Sequence, residues 1–215
     1  MQHLSRWLNL RIAIAAGISL LPFVTPAQHY TQTNLVSNLP GVAPQQDANL
    51  QNAWGLVSSP TGSPWWVSNN QDGTSTVYAI SSTASGLAAT LVPINPAPNE
   101  FVAIPFAPGQ TPPATAGSPT GVMFNGSATD FLLAPGKPAL FIFVTEDGTI
   151  QGWNPGVNRA SAVIVADHSQ VPNAAKGAVY KGAQSRRCTA TNSFWLPTFV
   201  AAGSMCSTRT SSRFA

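Results

Sequence analysis

Residues 139–155 read ALFIFVTEDGTIQGWNP. Leu140 to Val144 is a short apolar run rich in β-branched and aromatic side chains. Asp147-Gly148 is a turn dipeptide, and Ile150 and Trp153 belong to a return strand. Two such runs joined through Asp-Gly predict a β-hairpin, because glycine adopts the positive φ that a tight turn demands. The rest of the chain reads as variations on this unit.

Upstream, Gly55-Leu56-Val57, Trp65 to Ser68 and Thr76 to Ile80 are strand-like runs. They are separated by the turn sequences SPTGSP (59–64) and NNQDG (69–73), which predicts a three-strand meander. Asn34 to Ser37 is a further short strand candidate. A second copy begins at Gly121-Val122-Met123-Phe124, with Asn125 to Pro138 in place of the SPTGSP turn. Leu140 to Val144 then matches Trp65 to Ser68, Asp147-Gly148-Thr149 matches Asp72-Gly73-Thr74, and Ile150 to Trp153 matches Thr76 to Ile80. Repetition of a small antiparallel meander is how β-propeller blades appear in sequence. The proline-rich stretch 91–119 reads as an insertion between the copies. The expected fold is all-β and β-propeller-like, built of antiparallel meanders over residues 28–182; a β-sandwich is the alternative.

Composition agrees with short strands and many turns. Of 215 residues only 8% are charged, against roughly 25% in an average domain, while 17 are glycine and 19 proline. The formal net charge of +3 is carried by the two ends. Between residues 28 and 182 the bases Lys137, Arg159, Lys176 and Lys181 face the acids Asp47, Asp72, Glu100, Asp130, Glu146, Asp147 and Asp167. A middle that is net negative rejects a nucleic-acid-binding core.

Residues 1–27 read as a secretory signal peptide. Arg6 and Arg11 precede an apolar run from Ile12 to Val24, and Thr25-Pro26-Ala27 places small residues at a cleavage point. The run is shorter than the ~20 residues a bilayer-spanning helix needs. The expected product is secreted or periplasmic, with no transmembrane anchor after cleavage.

Residues 183–215 differ in texture: no acid, four arginines, both cysteines, and no strand periodicity. Back-translation in a frame moved by one base restores an apolar strand, an acidic turn with glycine and a return strand. A frameshifted basic tail is therefore expected, following about two blade repeats, where a closed propeller has about four to eight. The chain is accordingly expected to be a truncated propeller.

The segments NLVSNLPGVAPQQDANLQNAWGLVSSPTGSPWWVSNNQDGTSTVY (34–78), SPTGVMFNG (118–126), ALFIFVTEDGTIQGWNP (139–155) and AVYKG (178–182) resemble an uncharacterised family of secreted bacterial conserved hypothetical proteins. Some members carry a C-terminal PEP-CTERM sorting signal. The resemblance implies an NHL-like propeller and export, and it brings no established activity.

No catalytic residue stands out. Asp167-His168-Ser169 has the residue types of a relay, but sequence neighbours point apart, so it reads as a turn. Glu146-Asp147 sits at a hairpin tip, where side chains are expected to face solvent. Asn69, Asn70 and Asp72 set oxygens around Gly73. Turn chemistry is the first reading, and a divalent cation on those oxygens the second, since the spacing departs from an EF-hand. Trp65 and Trp66, with Trp54 and Trp153, are either inter-blade packing or a carbohydrate platform. Asn125-Gly126-Ser127 matches a glycosylation sequon, and Cys188 and Cys206 could pair in an oxidising compartment. The expected function is a secreted binding or interaction module for an extracellular ligand or surface partner, with no cofactor identified. The alternative is a propeller enzyme of lactonase or lyase type with a central metal.

Overall fold

The computed structural model describes residues 31–109, 116–187, 192–196 and 203–206. The expected leader and Cys188 lie outside them. The described residues from Asn34 onward form one unit. A small parallel pair, β1 (Val36–Ser37) and β2 (Gln45–Gln46), comes first. The first repeat follows as β3 (Ala53–Val57), β4 (Trp65–Asn69), β5 (Thr74–Thr83) and β6 (Gly86–Leu91), each antiparallel to the one before. Next, β7 (Val102–Ala103) pairs with Thr74 and Ser75 of β5, while β6 pairs with Tyr78 to Thr83. Strands β6 and β7 are thus two halves of one fourth strand, parted by residues 92–101.

The second repeat is β8 (Pro119–Phe124), a small hairpin of β9 (Leu132–Ala134) and β10 (Lys137–Pro138), then β11 (Phe141–Thr145), β12 (Thr149–Asn154) and an unbroken fourth strand, β13 (Asn158–Asp167). Its sheet order is β8-β11-β12-β13. Strand β7 also makes one parallel pair with β13, through Ala103 and Ser161, and so links the two sheets. A single 3-10 turn, Ala174–Lys176, is the only helix among the described residues. The backbone then forms a separate antiparallel sheet of β14 (Gln184–Arg187), β15 (Asn192–Leu196) and β16 (Gly203–Cys206).

The fold is all-β and propeller-like: two four-stranded meanders stacked face to face. The indole of Trp66 lies 4.1 Å from the Phe141 ring and 4.7 Å from Trp153. Around them Val77, Val102 and Ile104 of the first repeat and its fourth-strand continuation meet Val122 and Phe143 of the second. Aromatic contacts of this kind add to the hydrophobic gain of burying large side chains. Along the inner edge, β3 touches β8 backbone to backbone: a Cβ on Gly55 would stand 2.7 Å from the Val122 amide nitrogen. One repeat later, a Cβ on Gly121 would stand 2.6 Å from the Ala183 nitrogen, beside Gly182. Residues 182–183 therefore lie against β8 as β8 lies against β3, and β14 follows where a third repeat's first strand belongs.

The repeat is also kept in its backbone bonds. Ile104 N donates to Gly73 O and His168 N to Gly148 O, at 2.8 and 2.9 Å. Gly117 N donates to Ile104 O and Ala178 N to His168 O, at 2.8 and 3.0 Å.

Four expectations need correction. Each repeat has four strands, not three, because β6 with β7, and β13, complete the sheets. The stretch 91–119 is not wholly an insertion: Val102, Ile104 and Ala107 are buried, since the fourth strand resumes there. The match of Ile150 to Thr76 is one residue out. Thr74 lies opposite Asn69 and Ile150 opposite Val144, so Ile150 takes the place of Ser75. A slip of one residue would move every side chain to the other face of the sheet. Residues 184–187, 192–196 and 203–206, in a tail read as without strand periodicity, form three strands.

Candidate functional site

Near the start of β3, side chains from successive repeats close into a circuit. Asn52 precedes β3 with φ at +51°, a left-handed conformation that asparagine tolerates better than most residues. Its Nδ2 donates to Asn70 Oδ1 at 3.0 Å, and its Oδ1 accepts from Trp54 Nε1 at 3.2 Å. Asn70, in the β4–β5 turn, donates from Nδ2 to Glu146 Oε2 at 3.0 Å. Glu146, in the β11–β12 turn, accepts from Lys181 Nζ through Oε1 in an ion pair. The Lys181 ammonium in turn sits 5.3 Å from the centre of the Trp54 ring, a cation–π contact. Trp54 keeps 46% of its surface exposed. The stacking of repeats produces this convergence: the equivalent turns of the two repeats, and the strand lead-in at 181, arrive side by side.

The neighbouring acid behaves differently. Asp147 is buried, contrary to the solvent-facing position expected at a hairpin tip. Its Oδ2 accepts from Ala107 N at 2.8 Å and its Oδ1 from Ser118 N at 3.0 Å. It ties the returning proline-rich segment to the turn, a structural task that consumes both oxygens. Its counterpart Asp72 is only half-buried, and its carboxyl is held above the ordinary range by burial first and by the charge of Asp47 second. Asp47 is itself buried and accepts from the Tyr78 hydroxyl at 2.6 Å. Burial, and then that bond, push the Tyr78 hydroxyl up.

The three residues considered for a cation do not converge. Asn69 spends its Nδ2 on Thr74 Oγ1 and Thr76 Oγ1, at 3.0 Å each, on one face of the first sheet. Asn70 reaches the other way, to Glu146, as adjacent residues near a strand end must. Among the described residues no group of three His, Cys, Asp or Glu is placed to hold a metal ion. The tryptophans divide. Trp66 is 4% exposed and Trp153 is buried with it in the inter-repeat core, so neither ring offers a free face. Trp65 is 40% exposed and Trp54 more so. Neither the burial of one and exposure of the other of the Trp65-Trp66 pair, nor the part played by Asn52 and Lys181, follows from composition or spacing.

Asp167-His168-Ser169 is a turn: Asp167 Oδ1 accepts from Ser169 N at 2.9 Å. His168 Nδ1 shares a hydrogen bond with the Tyr180 hydroxyl, which burial raises to about 12. Asn125 of the sequon is buried, and its Nδ2 serves the carbonyls of Ser127, Asp130 and Ala139. That amide is committed to holding the loop closed and has no room for a glycan.

No family model, no curated protein and no solved structure matches this chain. Within the described residues, no helix is long and apolar enough to cross a membrane.

Proposed function

We propose that the protein is a secreted binding module, a relative of the uncharacterised exported propellers that its sequence resembles, and that its ligand is an uncharged, hydroxyl-rich polymer of the carbohydrate class. The observation that carries this reading is the circuit of Asn52, Trp54, Asn70, Glu146 and Lys181. Its carboxylate and ammonium cancel, so no net charge selects an ion. Two amides and a carboxylate can exchange hydrogen bonds with hydroxyl groups, and the half-exposed indole offers an apolar face for the C–H side of a sugar ring.

The test is retention of the purified protein on a panel of soluble neutral and acidic polysaccharides in affinity electrophoresis, with tryptophan fluorescence as a second readout. The neutral polymers are expected to retard the protein, and Trp54→Ala and Asn70→Ala to abolish the effect with circular dichroism unchanged. Retention by none of the neutral polymers, or equal retention of Trp54→Ala, overturns the reading. Export is checked separately by fractionating bacteria that express the chain with its own leader; accumulation in the cytoplasm counts against it.

A further inference from the structure

We propose that the two repeats hold one ordered water molecule between them, bound by Ser68, Ser75 and Gln151. Three observations place these residues in one layer. Ser68 and Ser75 are cross-strand partners in the first repeat, on the same face as Trp66 and Val77. Gln151 is the cross-strand partner of Phe143 in the second repeat, on the face that carries Phe141 and Trp153. The repeats are pinned above by the Trp66–Phe141 stack at 4.1 Å and below by the Asn70–Glu146 bond at 3.0 Å. In the strand register those two contacts bracket Ser68 and Ser75 on the first sheet and Phe143 and Gln151 on the facing side of the second.

All three polar residues are fully buried, and Ser68 Oγ, Ser75 Oγ and Gln151 Oε1 have no hydrogen-bond partner among the described residues. Buried polar groups are paired as a rule, through protein or ordered water. The glutamine cannot turn to help itself: its Nε2 is held by Pro105 O at 2.6 Å and Thr149 Oγ1 at 2.8 Å. The repeat supplies the contrast. The second repeat carries Val144 and Ile150 where the first carries Ser68 and Ser75. Together the two serines carry three fewer non-hydrogen atoms than a valine and an isoleucine, a volume difference large enough for one water, ~30 Å³. One water can accept from both serine hydroxyls and donate to the amide oxygen, the three bonds a buried water ordinarily makes.

The test is a crystal structure of the whole chain at a resolution that shows waters, with magnetic relaxation dispersion in solution to count long-lived internal waters. A density peak about 2.7–3.2 Å from all three oxygens supports the proposal. Replacing both serines by their second-repeat counterparts, Ser68→Val with Ser75→Ile, is then expected to remove one long-lived water. Two results overturn it. One is a direct bond from either serine to Gln151 or to a main-chain carbonyl, with no peak between them. The other is a peak with contacts near ~2.4 Å, the spacing of a bound cation. If the double variant does not fold, the wild-type density alone decides.

Discussion

The two repeats share strand order, turn dipeptide and linking hydrogen bonds, yet they treat their faces differently. In the second repeat every residue of β11 is buried, because the first repeat covers one face and the β9–β10 hairpin and Tyr180 cover the other. In the first repeat the face away from its neighbour is covered only in part: Val67, Asn69, Thr76 and Tyr78 are buried there. The rest of that face is open: Leu56 is 62% exposed, and Trp65, Ile80 and Leu87 are exposed as well. Trp65 and Phe141 are equivalent positions, yet one is on the surface and the other is in the core. Equivalent positions in a repeat therefore share a backbone, while burial depends on which repeat stands next door.

The largest effect expected from breaking this contrast comes at the stack. Trp66→Ala removes the ring between the repeats and is expected to cost about 3–5 kcal/mol in urea unfolding. Trp65→Ala, its sequence neighbour on the open face, is expected to cost under ~1 kcal/mol. Equal losses would show that the open face is covered.

The turn acids form the next pair. Asp147→Ala orphans the amides of Ala107 and Ser118 and is expected to destabilise by about 2–3 kcal/mol. Asp72→Asn is expected to leave stability within ~0.5 kcal/mol or raise it slightly at neutral pH. The sign follows from the raised carboxyl: the fold resists ionisation, so Asp72 favours the folded state least above its ordinary range. Thermal melts of both variants at pH 7 separate the two roles.

Tyr180 extends the comparison to alkaline pH. Burial raises its hydroxyl to about 12, so the unfolded chain loses this proton first. The contribution is whole below pH ~10 and is lost as pH rises from there through the folded value, a total of about 3 kcal/mol. Tyr180→Phe is expected to remove that part of the alkaline slope in denaturant titrations at stepped pH. The circuit is expected to matter little to stability. Lys181→Met leaves a partly exposed carboxylate unpaired and is expected to change stability by under ~1 kcal/mol, with the difference shrinking in high salt. A larger, salt-insensitive loss would assign the circuit to the core rather than to a surface site.

Much of the architecture is legible in the sequence. The two Asp-Gly turns, the flanking runs and the repeat came directly from local chemistry: glycine for positive φ, β-branched and aromatic residues for strands. The interrupted fourth strand was hidden because three prolines break up residues 92–101 and only Val102 and Ala103 rejoin the sheet, too short a segment to leave a period. The site was hidden for a different reason. Asn52, Asn70, Glu146 and Lys181 come from separate parts of the chain, and nothing local marks any of them.

By itself, then, the order of residues determined the all-β class, the hairpin at 139–155 and its earlier copy at 65–80, because those depend on backbone preferences acting over a few residues. Only the tertiary structure decided which of two adjacent tryptophans is core, that Asp147 is buried while Asp72 is half-open, and that Lys181 reaches both Glu146 and Trp54. Those outcomes rest on one sheet stacking on another, and a side chain's surroundings in a stack are set by residues distant in the chain.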